Sequence, residues 1–301
     1  MATMQGKAGN LMPRLQLALS LCASALLLLV TALPACAQST SARAPVAMQD
    51  RTPNSAGAKD ALMARAEMLY DSAEKSGLRA FNCQVHPDWN LMMTSSRKGA
   101  PLPADDPRLP LLSEVRITLH GRLNGSSTLD WQPSAKPLSS SAQATLDTAH
   151  RGVEQTLLGV LKLWAPLVNG SIPESFGDDD FALAQSESGY TLRSRDKQHA
   201  QTEQFDRNLL LTQFVTVESG STIEVTPVFA PAGEGLRLSS FVVRIQSANT
   251  AQEMHVALEY TAVSQSTGAA QAIPSKVAIE IPNVVTMNFA LDGCVANPPA
   301  N

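Results

Sequence analysis

From Phe181 to Leu291 the chain alternates apolar and polar residues in short runs broken by turn residues, a pattern that an antiparallel sheet with one buried face satisfies and a helix does not. Ser188-Gly189, Asp206-Arg207, Ser219-Gly220 and Gly233 to Gly235 separate runs such as Leu209 to Val217, Ile223 to Phe229 and Leu236 to Gln246. These connections are too short for crossovers, so neighbouring strands pair antiparallel. Met254, Val256, Leu258 and Tyr260 alternate with His255, Ala257, Glu259 and Thr261. Val277, Ile279 and Ile281 repeat the pattern, as do Val285, Met287, Phe289 and Leu291 after a turn at Pro282-Asn283. Eight or more strands meander here with one apolar face.

Upstream, Val115, Ile117, Leu119 and Leu123 fall on one face, and Arg116, Thr118, His120 and Arg122 on the other. A half-buried strand is expected there, turned by Asn124-Gly125 into a second around Thr128 to Trp131. A long helix is expected from about Ser139 to Ala165, and its second half, Leu157 to Trp164, is apolar nearly all round apart from Lys162. Such a segment needs cover on more than one side and is too short to span a bilayer. Leu62, Ala66, Leu69 and Ala73 recur at spacings of three and four before Gly77, which predicts an additional N-terminal helix over Lys59 to Ser76. Trp89 to Met93 fits helix or strand equally, and Pro101, Pro103, Pro107 and Pro110 mark an irregular loop. The fold class that accommodates these pieces is α+β: a large curved antiparallel sheet wrapped over the long helix.

The N-terminus points to export. Lys7 and Arg14 precede an uncharged apolar run from Leu15 to Leu33, and Ala35-Cys36-Ala37 offers small residues at both positions that a signal peptidase inspects. Residues 1–37 therefore read as a signal peptide cleaved after Ala37, leaving no transmembrane span. Leu33-Pro34-Ala35-Cys36 also resembles a lipobox, so the alternative is a lipoprotein anchored to the outer membrane through Cys36. Residues 38–57 are rich in Ser, Ala, Pro and Gly and suit a flexible linker; 58–296 form a single domain and 297–301 a tail. The net charge of −4 becomes more acidic when Lys7 and Arg14 leave, and no basic cluster exists to hold nucleic acid or an anionic membrane surface. Cys83 and Cys294 are the cysteines of the mature chain, an even pair in an oxidising compartment, and a disulfide is expected between them.

Gly235-Leu236 opening one strand, Val256-Ala257-Leu258-Glu259-Tyr260 forming another and Ala272-Ile273-Pro274-Ser275-Lys276-Val277 opening the next give the chain its resemblance to a known group. Over roughly Leu112 to Cys294 it resembles the LolA-like family of periplasmic lipoprotein carriers and lipid-binding lipoproteins. It departs from the carrier proper in its N-terminal helix and its two cysteines. The resemblance implies a half-barrel, an incomplete antiparallel barrel closed by helices, with an apolar cavity for acyl chains. Leu157, Leu161, Trp164, Phe214, Phe229, Phe241, Tyr260 and Phe289 are candidates to line that cavity as a group; taken singly, each is better read as part of an ordinary core.

No catalytic site, cofactor site or metal site is expected. Glu218-Ser219-Gly220-Ser221 lacks the leading glycine of a nucleophile elbow. His255 and Glu259, four apart, would need a helix to converge, but lie in a strand pattern. His120 and His255 fall on solvated faces, and His86, His150 and His199 have no motif around them. Asp178-Asp179-Asp180 after Gly177 lacks the spacing of a calcium loop. Three classes of function remain: an exported periplasmic or secreted protein that binds or carries a lipid, acyl chain, lipoprotein or other hydrophobic molecule; a non-catalytic interaction or scaffold module for an envelope protein partner; and a hydrolase assembled from distant residues.

Overall fold

The structure is a computed structural model and describes residues 61, 64–65, 68–71, 73, 76–96, 102–103, 105–133, 138–169, 181–195, 199–218, 220–233, 235–248, 250–264 and 270–298. Within them twelve strands form one sheet. They are β1 (Ala80–Pro87), β2 (Arg116–Arg122), β3 (Thr128–Gln132), β4 (Phe181–Gln185), β5 (Gly189–Arg195) and β6 (His199–Asp206). The rest are β7 (Leu211–Glu218), β8 (Ser221–Ala232), β9 (Gly235–Ser247), β10 (Thr250–Ser264), β11 (Ala270–Ile281) and β12 (Val285–Ala296). Three helices whose bounds lie among the described residues accompany them: α1 (Trp89–Ser95), α2 (Arg108–Ser113) and α3 (Ser140–Asn169). The architecture is α+β with a large, curved, open antiparallel sheet.

Strand order is β3-β2-β1-β12-β11-β10-β9-β8-β7-β6-β5-β4. The expected meander is the run from β4 to β12, and every one of its ladders is antiparallel. The alternation places Val277, Ile279, Ile281, Val285, Met287, Phe289 and Leu291 in the core, as their period of two requires. The first and last strands of the sequence, β1 and β12, then pair with each other and close the order. Cys83 and Cys294 form a disulfide across that seam, with Cα atoms 4.2 Å apart. Two residues of β12, Gly293 and Cys294, stand opposite Cys83 alone, a bulge in which Gly293 adopts a φ of 56° that a side chain would disfavour.

Several elements differ from the sequence reading. Residues 61, 64 and 65 are helical, but the helix expected to reach Ser76 does not: Met68 and Leu69 form a turn, and Tyr70 makes a parallel bridge to Leu236. The intended helical face is drawn away by tertiary contacts, Asp71 pairing with Arg237 and Tyr70 burying its ring. β1 was not anticipated. α1 resolves the ambiguous stretch as helix, because the Asp88 carboxylate caps it by accepting from the Leu91 amide at 2.9 Å. α2 arises inside the proline-rich stretch, where Pro110 occupies the first turn and costs no helical bond, while Asp106 accepts from the Arg108 amide and guanidinium. α3 runs one turn past Ala165 through Pro166, which deprives only the Lys162 carbonyl, on the exposed side. β7 begins at Leu211, because Leu209 turns with φ 68°. Asn297, assigned to the tail, is tied to the start of β1 through its side chain, which accepts from Arg79 and Ala80. The proposed signal, the linker, Cys36 and Asp178 to Asp180 lie outside the described residues.

Candidate functional site

The candidate site is the core face of the sheet where α3 crosses it. On α3, Leu146 and Val153 are buried two turns apart in the first half, an ordinary amphipathic stripe. From Leu157 the helix buries Val160, Leu161, Trp164, Ala165, Leu167 and Val168 as well, leaving Lys162 exposed. The second half is thus covered on most sides, as its composition requires. The Trp164 indole N–H donates to the Tyr260 hydroxyl at 3.1 Å, and Phe81 meets the same indole edge-on at 6.0 Å. Helix and sheet are latched by a directional bond as well as by apolar contact. Burial pushes the Tyr260 hydroxyl up to about 12, against the opposing bond from Trp164 and the charge of Arg237, whose guanidinium lies 5.3 Å over the tyrosine ring.

The structure gathers all eight cavity candidates into one apolar cluster. Leu157, Leu161, Trp164, Phe241 and Phe289 are buried in it, while Phe214, Phe229 and Tyr260 are half-buried against it. Phe229 packs on Tyr70 with ring centres 4.9 Å apart. α3 itself leans chiefly on α2, β3 and β9.

Three polar residues on this face escaped the sequence reading. Glu203 on β6 is only 5% exposed, and Gln201 Nε2 donates to its Oε1 at 2.6 Å. Burial pushes its carboxyl up to about 7 against that hydrogen bond. Nearby, the Tyr70 hydroxyl accepts from the Leu211 amide at 2.7 Å; burial chiefly raises it to about 12, with the negative charges of Asp206 and Glu203 adding to the effect. A polar residue in a period-two pattern is ordinarily assigned to the solvent side, and β6 carries polar residues at both parities, so no sequence signal pointed inward.

The sheet's opposite face carries a groove of about 310 Å³ lined by Ser240, Val242, His255, Ala257, Ala278 and Glu280. His255 lies exposed in β10 and contacts Glu253 at 2.7 Å rather than Glu259. His120 is less solvated than expected: it is half-buried, with one ring nitrogen 3.0 Å from Asn82 Oδ1 and the other 3.1 Å from Asp130 Oδ2. His86 stands 3.1 Å from Asp292, and His150 stacks on Trp131 with ring centres 4.8 Å apart. Among the described residues no group of three or more His, Cys, Asp or Glu could hold a metal ion, and no helix is long and apolar enough to cross a membrane. No protein-family model matches this chain, and no curated protein matches it significantly.

Proposed function

We propose that this protein is an exported, LolA-like carrier or sensor of a hydrophobic ligand, held between the core face of the sheet and the second half of α3. Area carries the reading. Twelve strands spaced about 4.8 Å apart make a surface roughly 50 Å across, whereas one helix is about 10 Å wide. α3 leans on β3 and β9, and the β4 to β7 wing presents Leu183 and Phe214 half-buried on the same side. An apolar face broader than its helical cover favours an apolar guest. The guest needs few polar contacts: each methylene withdrawn from water contributes about 0.8 kcal/mol, so a 14-carbon chain supplies on the order of 10 kcal/mol before ordering costs. Cleavage after Ala37 would release such a carrier into the periplasm or medium.

Two measurements test this. Native mass spectrometry of protein purified from membranes-containing cells should show a lipid-sized mass adduct, and the neutral probe N-phenyl-1-naphthylamine should bind saturably with about one site per chain. A folded protein with neither adduct nor saturable uptake overturns the carrier reading.

A further inference from the structure

Antiparallel partners share a face, and the ladders place Leu183, Leu192, Glu203, Phe214, Val225 and Val243 in one row across β4 to β9. A single carboxyl thus interrupts an otherwise apolar row. Leu192 and Glu203 are buried, and Phe214 beside them is half-buried. A carboxylate so withdrawn from water is unfavourable unless a cation or several donors face it. Among the described residues Glu203 has one hydrogen-bond donor, the neutral amide of Gln201, and no cation. Tyr70, Tyr190 and Asp206 near this end of the sheet supply no positive charge either. Lys and Arg side chains pair with carboxylates on the solvent side of the sheet, as Arg244 with Glu253 and Lys276 with Glu259, and none does so with the inward Glu203 among the described residues.

We infer that Glu203, with Gln201 beside it, reads the head of the ligand: it accepts a hydrogen bond from a protonated amine on a long-chain amphiphile and turns carboxylate-headed chains of equal length away. The inference rests on the carrier reading and adds to it the class of head group. An ammonium would bring the counter-charge that the site lacks and donate to the carboxylate, while its chain would lie along Phe214 and its apolar neighbours. A carboxylate head would place two anions together in a poorly solvated site.

The test is displacement of bound N-phenyl-1-naphthylamine at pH 8 by 1-tetradecylamine, by tetradecanoate, and by lysophosphatidylethanolamine and lysophosphatidylglycerol of matched chain length. Wild type should prefer the amine over the acid at least tenfold in the simple pair, in the phospholipid pair, or in both; which pair discriminates identifies a bare amine or an aminophospholipid. Glu203→Gln, which keeps the shape and removes the charge, should fold and shrink the preference to less than threefold. Equal displacement within both pairs, or a preference that survives Glu203→Gln, overturns the head-group assignment and leaves the carrier reading standing. Failure of the probe to bind, or of every amphiphile to displace it, overturns both.

Discussion

Two rows of side chains cross the same face of the same sheet and differ in how they are packed. In the centre, Phe241, Val256, Ile279 and Met287 are cross-strand partners over β9 to β12, and each is at most 1% exposed. On the wing, the corresponding row over β4 to β7 reads Leu183, Leu192, Glu203 and Phe214, with its two ends half-buried and a carboxyl in the middle. The central row is uniform, apolar and tied beyond β12 by the disulfide to β1. The wing row is less closely packed at its ends and carries a buried carboxyl that no cation faces among the described residues. Packing is thus divided along one sheet, uniform and fully buried over β9 to β12 and looser toward β4.

Five variants test that division. The largest effect belongs to the seam: converting Cys83 and Cys294 to serine releases a crosslink between residues 211 positions apart, for which chain entropy gives about 5 kcal/mol. Chemical unfolding should show that loss, and reduction of the wild type should reproduce it. Phe289→Ala, at a fully buried central site, should cost about 4 kcal/mol, whereas Phe214→Ala on the wing should cost about 1 kcal/mol for its smaller buried area. Equal losses at the two sites would erase the distinction between the rows.

Glu203 supplies the third effect through pH. Its carboxyl rises from 4.5 to about 7 in the folded protein because burial disfavours the charge. Below both values it is protonated in both states. As pH rises between them the unfolded chain releases the proton first, so stability falls, levelling above about pH 7 with roughly 3 kcal/mol lost. Thermal unfolding of Glu203→Gln across pH 4 to 8 should lack that decline. A smaller effect than that of Glu203 is expected of Tyr260→Phe, which leaves the Trp164 indole N–H without its acceptor and should cost about 1–2 kcal/mol with a shifted Trp164 fluorescence.

The strands from β8 to β12 were legible because their inward positions are uniformly aliphatic or aromatic and their turns carry Gly, Pro or Asn. β1 has the same alternation in Phe81, Cys83 and Val85, but Asn82, Gln84 and His86 between them and the absence of a neighbouring hairpin partner hide it; its partner β12 lies at the other end of the chain. The N-terminal helix was overextended because its spacing is helical while Tyr70 and Asp71 are claimed by Leu236 and Arg237 from far away. The same limit applies to the site. The all-round apolar half of α3 was visible as composition, and the aromatic candidates as periodic residues. Trp164 meeting Tyr260, 96 positions on, and Glu203 turning inward depend on which strands become neighbours, which local pattern does not encode.

The seam between β1 and β12 also sets an order of assembly. A chain delivered from its N-terminus presents β1 to β3 early, yet the edge of β1 that carries its second ladder stays bare until the last strand arrives. Non-local closures of this kind are slow, and an unpaired edge is an invitation to pair with another molecule. Cys83 waits with it, as a thiol whose partner Cys294 has not yet been delivered. An oxidant that acts before delivery is complete therefore joins two chains through Cys83, while one that acts afterwards closes the ring within a single chain. A chain cut short before Cys294 keeps both the bare edge and the bare thiol.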